Sequence, residues 1–476
     1  MIQKFLFQKI LDLVKQPHLS DFPFYLRDNP IRKIRTYTDA REISYTQLYL
    51  PQVDRHKFVF TLKSILNFKK TKFFSDRTPP VATITRTTPI QVKDVLNKSD
   101  KNFSTSKSPS KKINTLLIYI DALSPCLLED NQDIGSVMKN TSKIFKDGFI
   151  HNEYFSASEW TLPNLASMFL GILPSQHGMT TSKSDTKSSF IIPKFQNIFQ
   201  YLSGFGIRTN IFSSVPYMNP NFGFQLGTDE FFYHKNLHSR KLLSHLHASI
   251  QNRGQKTIES YLDCIFLMDV HHKLDGNLAA WDSKYDQYVK LVSQKTRLST
   301  YDARNLISRA IELDNSLKTF LDGEVLKFYD NIVLISDHGS ARLRENQELC
   351  VDDARTRTTF CLTSKNGVTI DPNKVLGLTA LPTILSRLYE LPIFPSLWTE
   401  LNNLIFTQAI FPKLPYRLRI RAENQCFDFV GDNVWSNYDS FKLELSEFLD
   451  SVSSATGDSI EIENFKSQFN LKNKLK

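Results

Sequence analysis

Apolar residues along this chain follow two rhythms. Short continuous runs recur: INTLLIYI at 113–120, CIFLMDV at 264–270 and NIVLIS at 331–336. Runs of this kind predict strands buried on both faces, as in the middle of a parallel sheet. Between them the spacing turns helical. KFQNIFQYLSGFG followed by IRTNIFS predicts a helix, a tight glycine-containing turn and a strand across 194–213. DARNLISRAIELDNSLKTFLD (302–322) carries a helical period, and TALPTILSRLYEL, within 366–391, predicts another helix. Strands alternating with helices predict an α/β domain on a mainly parallel sheet. From about residue 400 the pattern is mixed, with strand-like alternation in YRLRIRA and CFDFVGD, which predicts a small C-terminal α+β subdomain.

The stretch SDKNFSTSKSPSKK (99–112) has the serine, lysine and proline content of a linker. The expected organisation is therefore an N-terminal region at 1–98, a linker at 99–112, a main domain at 113–400 and a subdomain at 401–476. The 476 residues are 41% hydrophobic and 23% charged, enough apolar material for a sizeable core. The formal charge of +10 is unevenly spread. Residues 1–112 hold 22 Lys+Arg against 9 Asp+Glu, and the rest of the chain is slightly acidic. A basic region suits an anionic partner such as a membrane surface or polyanionic glycan, and equally forms a solvated face. MIQKFLFQKILDLVK is amphipathic and broken by lysines, so no signal peptide is expected there. No apolar run reaches membrane-spanning length. Five cysteines without CxxC spacing point to neither a disulfide framework nor a zinc knot. A cytoplasmic home is the expectation, with membrane contact through the basic N-terminal region left open.

Candidate chemistry sits at strand ends. Asp121 follows INTLLIYI directly, and Asp337 and His338 follow NIVLIS directly, in the tetrapeptide DHGS. Ligands of open parallel sheets bind beyond the carboxyl ends of strands. Two carboxylates and an imidazole there could hold a metal; they could also be a helix cap and a turn. A third candidate lies in SASEWTLPNLASMFLG (156–171). Pro163 falls in the first turn of the helix this stretch predicts. Thr161 is then expected at the N-cap, a role worth about 1 kcal/mol. A helix N-terminus also gathers anions, and a hydroxyl touching a divalent cation there becomes a nucleophile. Spacing does not choose between cap and nucleophile.

Five segments in order add a further indication: NTLLIYIDAL, SASEWTLPNLASMFLGILPSQHGM, FLMDVHH, LISDHG and GLTALPTILSRLYELP. Together they resemble the sulfatase branch of the alkaline phosphatase superfamily over about 113–393. FGIRTNIFSS and FGFQLGTDEFF resemble further parts of that family. The resemblance implies an alkaline-phosphatase/sulfatase-like α/β sandwich. It implies Asp121, Asp337 and His338 as metal ligands and Thr161 as a nucleophile that touches the metal. It also implies a role near the substrate's anionic group for His271, which otherwise reads, with His272, as a surface pair after a strand. His177, in PSQHG, matches a position of structural support.

The departures are as informative. Sulfatases oxidise Cys or Ser to an aldehyde; the methyl on threonine's β-carbon would make the product a ketone. Leu165 stands where the signature arginine belongs, Ala122 replaces a second aspartate, and no histidine follows DHG. The implied cofactor is one divalent cation (Mn, Mg, Ca or Zn). The implied activity is hydrolysis or transfer of a phosphate ester, ahead of a sulfate ester. An anionic ester, a glycan or envelope precursor among the options, is the expected partner; nucleic acid is not. A binding protein on a decayed catalytic fold, and a peripheral polyanion- or membrane-binding factor, are the alternatives. Arg342, Arg344, Asp352, Asp353 and Arg355 are expected in a solvated loop more than in a substrate site. PKLPYRLRIR (412–421) is expected to present its arginines on an exposed strand face.

Overall fold

The computed structural model describes residues 34–36, 81–85 and 111–431, except 132–133, 147, 180–195, 220–221, 236, 254–258, 272–282, 322–323, 342–350, 369, 371–374, 395–404, 410–415 and 423–424. The amphipathic start, all but the end of the linker, His272, Arg342, Arg344 and Cys350 lie outside the described residues.

Thirteen strands are present among the described residues. They are β1 (Ile34–Thr36), β2 (Val81–Thr85), β3 (Asn114–Ile120), β4 (Phe149–Phe155), β5 (Arg208–Ser213), β6 (Glu230–His234), β7 (Tyr261–Leu267), β8 (Asn331–Ile335), β9 (Arg357–Ser364), β10 (Leu376–Gly377), β11 (Ile405–Ala409), β12 (Tyr416–Ala422) and β13 (Gln425–Gly431). The first ten form one sheet in the order β1-β2-β6-β5-β7-β3-β8-β9-β4-β10. Its centre, β6-β5-β7-β3-β8, is parallel. Strand β9 runs antiparallel to both β8 and β4, so β4 points the same way as β3 and β8. The carboxyl ends of β3, β8 and β4 therefore share one edge of the sheet, and this fact positions the site. Two strands from the first 98 residues extend the other side, β2 pairing with β6 and β1 with β2.

The predicted strands at 113–120, 264–270 and 331–336 correspond to β3, β7 and β8, and every residue of these three is buried. Their alternate side chains feed two separate cores. Leu117 and Tyr119 join Ile211, Phe266 and Val333 on one face. Leu116, Ile118 and Ile120 join Phe212, Ile265 and Leu334 on the other. Helices cover both faces, because a strand apolar on both sides must be shielded from water on both. The first core is closed by α1 (Thr161–Leu170), α2 (Ile198–Gly204) and, from later in the chain, Leu381–Leu388. The second is closed by α3 (Ser239–Arg253), α4 (Asp286–Thr296) and α5 (Thr300–Phe320). The helix expected at 302–322 is α5. Its N-cap, Ser299, accepts from the Asp302 N–H.

The C-terminal strands β11–β13 form a separate antiparallel sheet. Among the described residues, no helix is long and apolar enough to cross a membrane. Cys126, Cys264 and Cys361 are buried and free.

One buried polar knot ties the sheet to α3. The Asp263 carboxylate on β7 accepts from Arg253 Nη1 at 2.7 Å, Tyr329 Oη at 2.8 Å and Asn210 Nδ2 at 2.9 Å. All of its donors are themselves largely buried, so deleting the acceptor strands a guanidinium in the core. Asp263→Ala is expected to cost about 3–5 kcal/mol, read as a lower urea midpoint; an unchanged midpoint would contradict the assignment.

Candidate active site

Three segments converge at the shared sheet edge. The loops after β3 and β8, far apart in sequence, are laced to each other. The Ala122 N–H donates to Asp337 Oδ1 at 3.1 Å and the Leu123 N–H to Ser336 Oγ at 2.8 Å. Ser340 closes the lace, its N–H donating to Ser124 Oγ at 2.8 Å and its hydroxyl to the Ala122 carbonyl at 2.6 Å. Ala122 holds φ +60°, a left-handed conformation that costs a non-glycine residue about 1–2 kcal/mol. This turn aims its N–H at Asp337.

The third segment carries Thr161. Strand β4 ends at Phe155, and residues 156–160 lead into α1. Asn164 in the first turns of α1 pins this lead, accepting from the Ser158 N–H at 2.7 Å and donating to the Ser158 carbonyl at 2.8 Å. The expected N-cap at Thr161 is not found. Trp160, extended at φ −149° and ψ 167°, is the N-cap and makes no side-chain cap. Thr161 is already helical, one residue further in, so its hydroxyl is turned into the site. It lies 3.3 Å from His338 Nε2, near enough to the Asp121 carboxylate to favour that group's charged form.

Asp121, Asp337 and His338 offer donor atoms all within 4.8 Å of one another, the one such metal-ligand group among the described residues. His338 Nε2 is 3.2 Å from Asp337 Oδ2 and 4.0 Å from Asp121 Oδ1. All three side chains are almost fully buried. Asp121 Oδ1 and Asp337 Oδ2 have no hydrogen-bond partner. His338 Nδ1 lies 3.0 Å from the Gly339 carbonyl, a contact that suits an Nδ1–H and leaves Nε2 as the ring nitrogen turned toward the two carboxylates. Two carboxylate oxygens without hydrogen-bond partners and the His338 Nε2 thus face each other in a buried space. Burial pushes the Asp121 carboxyl well above the ordinary range; the Asp337 charge adds to this, while Arg355 and the Thr161 hydroxyl pull it back. Burial also raises Asp337, against the Ala122 N–H. Such a donor set fits a divalent cation, which would pair the lone pairs and the charge together.

Arg355 is the residue that sequence reasoning placed wrongly. It is buried, not in a solvated loop. Asp352 caps the short helix α6 (Asp353–Thr356), accepting from the Ala354 N–H, and α6 turns Arg355 inward. Its Nε donates to the Glu159 carbonyl at 2.7 Å, and its Nη1 to the carbonyls of Gly339 and Ala341 at 3.1 and 2.8 Å. Its Nη2 lies 3.3 Å from His338 Nε2. No signal in the sequence singled out Arg355 from its neighbours: Asp353, on the same short helix, stays exposed.

Arg421, expected on an exposed face, is buried too. It donates from Nη2 to Asp353 Oδ1 at 2.8 Å and to Thr356 Oγ1 at 2.7 Å, and its guanidinium carbon lies 4.2 Å from the centre of the Phe155 ring. Strand β11 grips the other side of the site: the Gln408 N–H donates to the Ala157 carbonyl at 2.9 Å, and Thr407 Oγ1 to the Ser156 carbonyl at 2.7 Å.

His271 is half-buried in the turn after β7 and lies outside the three-residue donor group; its carbonyl accepts from Arg309 Nη1 at 2.6 Å. His177 sits behind α1, accepting at Nδ1 from the Met179 N–H at 3.0 Å, with Nε2 3.0 Å from Ser167 Oγ.

The fold has relatives among solved structures. A candidate sulfatase, YidJ, from Bacteroides fragilis matches at a TM-score of 0.53 with 13% identity, over 76% of this chain and 97% of that one. A 2-O GAG sulfatase matches at 0.50 with 12% identity, over 74% of this chain and 94% of that one. The chain has a sulfatase-like fold. No protein-family model and no curated protein sequence matches it. The sulfatase-like sandwich expected from the motif order is therefore present, at a level of identity that speaks for the fold alone.

Two measurements follow from this geometry. A Cβ on Gly339 would stand 2.5 Å from the Ala354 carbonyl oxygen, so Gly339→Ala must push α6 away from the DHG turn. A loss of about 1–3 kcal/mol is expected in thermal melts, and an unchanged melt would contradict the close approach. Burial lowers the His177 pKa to about 3, against 6.5 in the unfolded chain. A depressed histidine favours the folded state fully above pH 6.5, and that contribution drains away as pH falls toward 3. Between pH 7.5 and 5.0 the parent should lose about 2 kcal/mol from this source. His177→Gln should show a correspondingly flatter stability profile; parallel profiles would count against a buried neutral imidazole.

Proposed function

We propose that this protein is a metal-dependent hydrolase or transferase of phosphate esters, ahead of sulfate esters, working through Thr161. The observation that carries the reading is the convergence of Asp121 Oδ1, Asp337 Oδ2 and His338 Nε2 beside the Thr161 hydroxyl, with no hydrogen-bond partner for either carboxylate oxygen. Asp121, Asp337, His338 and Thr161 would hold one divalent cation, Mn, Mg, Ca or Zn. A bound cation would lower the hydroxyl pKa of Thr161 and offset charge developing on the transferred group.

The remaining steps belong to the chain's own residues. Thr161 Oγ1 attacks phosphorus, an Oγ1–P bond forms and the bond to the leaving oxygen breaks. The proton lost by Thr161 passes to the neighbouring Asp121 carboxylate, whose burial already raises its affinity for a proton. His271 follows the strand whose end receives the Asp121 N–H, at Leu267 O, 2.9 Å away. We assign it the proton given to the leaving group. Water or an acceptor hydroxyl then releases the group from Thr161.

Threonine favours phosphorus over sulfur in this reading because its β-carbon cannot become an aldehyde. A glycan-borne ester is the substrate class favoured, on the analogy of the 2-O GAG sulfatase of the same fold. The test is a screen of phosphate mono- and diesters and sulfate esters with each of the four cations. Thr161→Ala is expected to lower turnover about 10³-fold or more, and the parent, quenched during turnover, should carry the transferred group on Thr161 by peptide mass spectrometry. Equal turnover by the variant would remove Thr161 from the mechanism. Metal uptake without any turnover would favour a binding protein on the same fold.

A further inference from the structure

Resting on that reading of the site, we infer that Tyr119 is a positioning residue of the metal centre: its hydroxyl donates to the Asp337 carboxylate and fixes the plane in which Asp337 offers an oxygen to the cation. The starting point is strand register. Tyr119 on β3 lies between Phe266 on β7 and Ile335 on β8, its paired residues on either side. All three side chains enter the same core, the one closed by α1. Side chains two positions apart on a strand share a face. Both ladders run on past the strand ends, the Asp121 N–H donating to the Leu267 carbonyl at 2.9 Å and the Ser336 N–H to the Thr359 carbonyl at 3.0 Å. Asp121 and Asp337 therefore continue the face of Tyr119 and Ile335, about 6–7 Å nearer the sheet edge. A tyrosine leaning toward that edge brings its hydroxyl beneath the two carboxylates.

The hydroxyl is where this register puts it. Tyr119 is fully buried, and its Oη has no hydrogen-bond partner. Burial raises its pKa well above the ordinary range, and the charges of Asp121 and Asp337 raise it further, so both carboxylates are close. The influence is mutual. Burial raises the Asp337 carboxyl, while the Ala122 N–H and then the Tyr119 hydroxyl pull it back. A phenol in a core is costly unless its O–H finds an acceptor, and phenylalanine would fill the same space without that cost. Asp337 is the acceptor that needs it. Its Oδ1 takes the Ala122 N–H at 3.1 Å, whereas its Oδ2 has no partner. Held at one oxygen, the carboxylate can still turn about its Cβ–Cγ bond. A second donor from the strand beside it fixes that turn, as the partners of ligating carboxylates do in metal sites generally. Tyr154 supplies the contrast: its Oη is also buried without a partner, but burial alone raises its pKa and no carboxylate charge adds to it.

Removing one oxygen atom tests this. Mn²⁺ uptake is measured by titration calorimetry on the parent, Tyr119→Phe and Tyr154→Phe, with thermal melts of the metal-free proteins alongside. We expect Tyr119→Phe to take up Mn²⁺ with the parent's stoichiometry but about tenfold or more weaker affinity, the usual effect of losing the partner of a metal ligand. Its metal-free melt should be no lower than the parent's, because the hydroxyl removed has no hydrogen bond to lose. Tyr154→Phe should keep the parent's affinity. Unchanged affinity in Tyr119→Phe, whatever its melt, overturns the inference and leaves the metal centre standing. An equal loss in Tyr154→Phe also overturns it, since that would be a general effect of the core. A parent that takes up no Mn²⁺ overturns the metal reading and the inference with it. Should Tyr119→Phe not fold, a crystal structure of the parent with Mn²⁺ decides: Oη about 2.7 Å from an Asp337 carboxylate oxygen supports the inference, and Oη turned away from Asp337 overturns it.

Discussion

The structure turns on the lace between the loops that follow β3 and β8. Four hydrogen bonds, among Ala122, Leu123, Ser124 and Ser336, Asp337, Ser340, hold two buried carboxylates and an imidazole together. Burial raises the pKa of both carboxyls, and the Asp337 charge raises that of Asp121 further. The lace pairs backbone atoms of one loop or the other with side-chain oxygens across from them, and it sits on the ends of two adjacent central strands. A site that stores repulsion in this way is poised for a positive ion.

Around that lace, the chain builds a frame from two arginines. Arg355 reaches from α6 into the site and binds carbonyls on both sides of it. Arg421 reaches from the C-terminal sheet under the same helix and holds Asp353 and Thr356. The order matters: the C-terminal sheet positions α6, α6 positions Arg355, and Arg355 bridges the segment before Thr161 to the segment after His338. Strand β11, paired along Ala157 and Ser158, fixes the approach to Thr161 from the other side. What reads along the sequence as a peripheral subdomain is a buttress of the site.

Much of the fold was legible because buried parallel strands announce themselves. The runs ending at Asp121 and Asp337 are apolar on both faces and could lie nowhere but the middle of a covered sheet. Strands β4 and β9 were not legible in the same way. FIHNEYF and RTTFCLTS mix polar with apolar residues, because β4 pairs irregularly with β9 and lies near the sheet's edge. The helix after Trp160 was foreseen, but its first residue was off by one. A threonine before Leu-Pro is a natural cap, and only the extended backbone of Trp160 moves the cap back one position and frees the hydroxyl.

The sequence by itself determined the α/β class, the central strands and the acidic and imidazole residues at their ends. These follow from local periodicity and from the rule that chemistry gathers beyond the carboxyl ends of parallel strands. Tertiary structure alone decided that Thr161 faces His338, that Arg355 and Arg421 are buried, and that a left-handed Ala122 lends its N–H to Asp337. A charged residue shows only its own polarity in a sequence. Whether it meets water or a partner hundreds of positions away depends on how strands that share an edge bring their loops together.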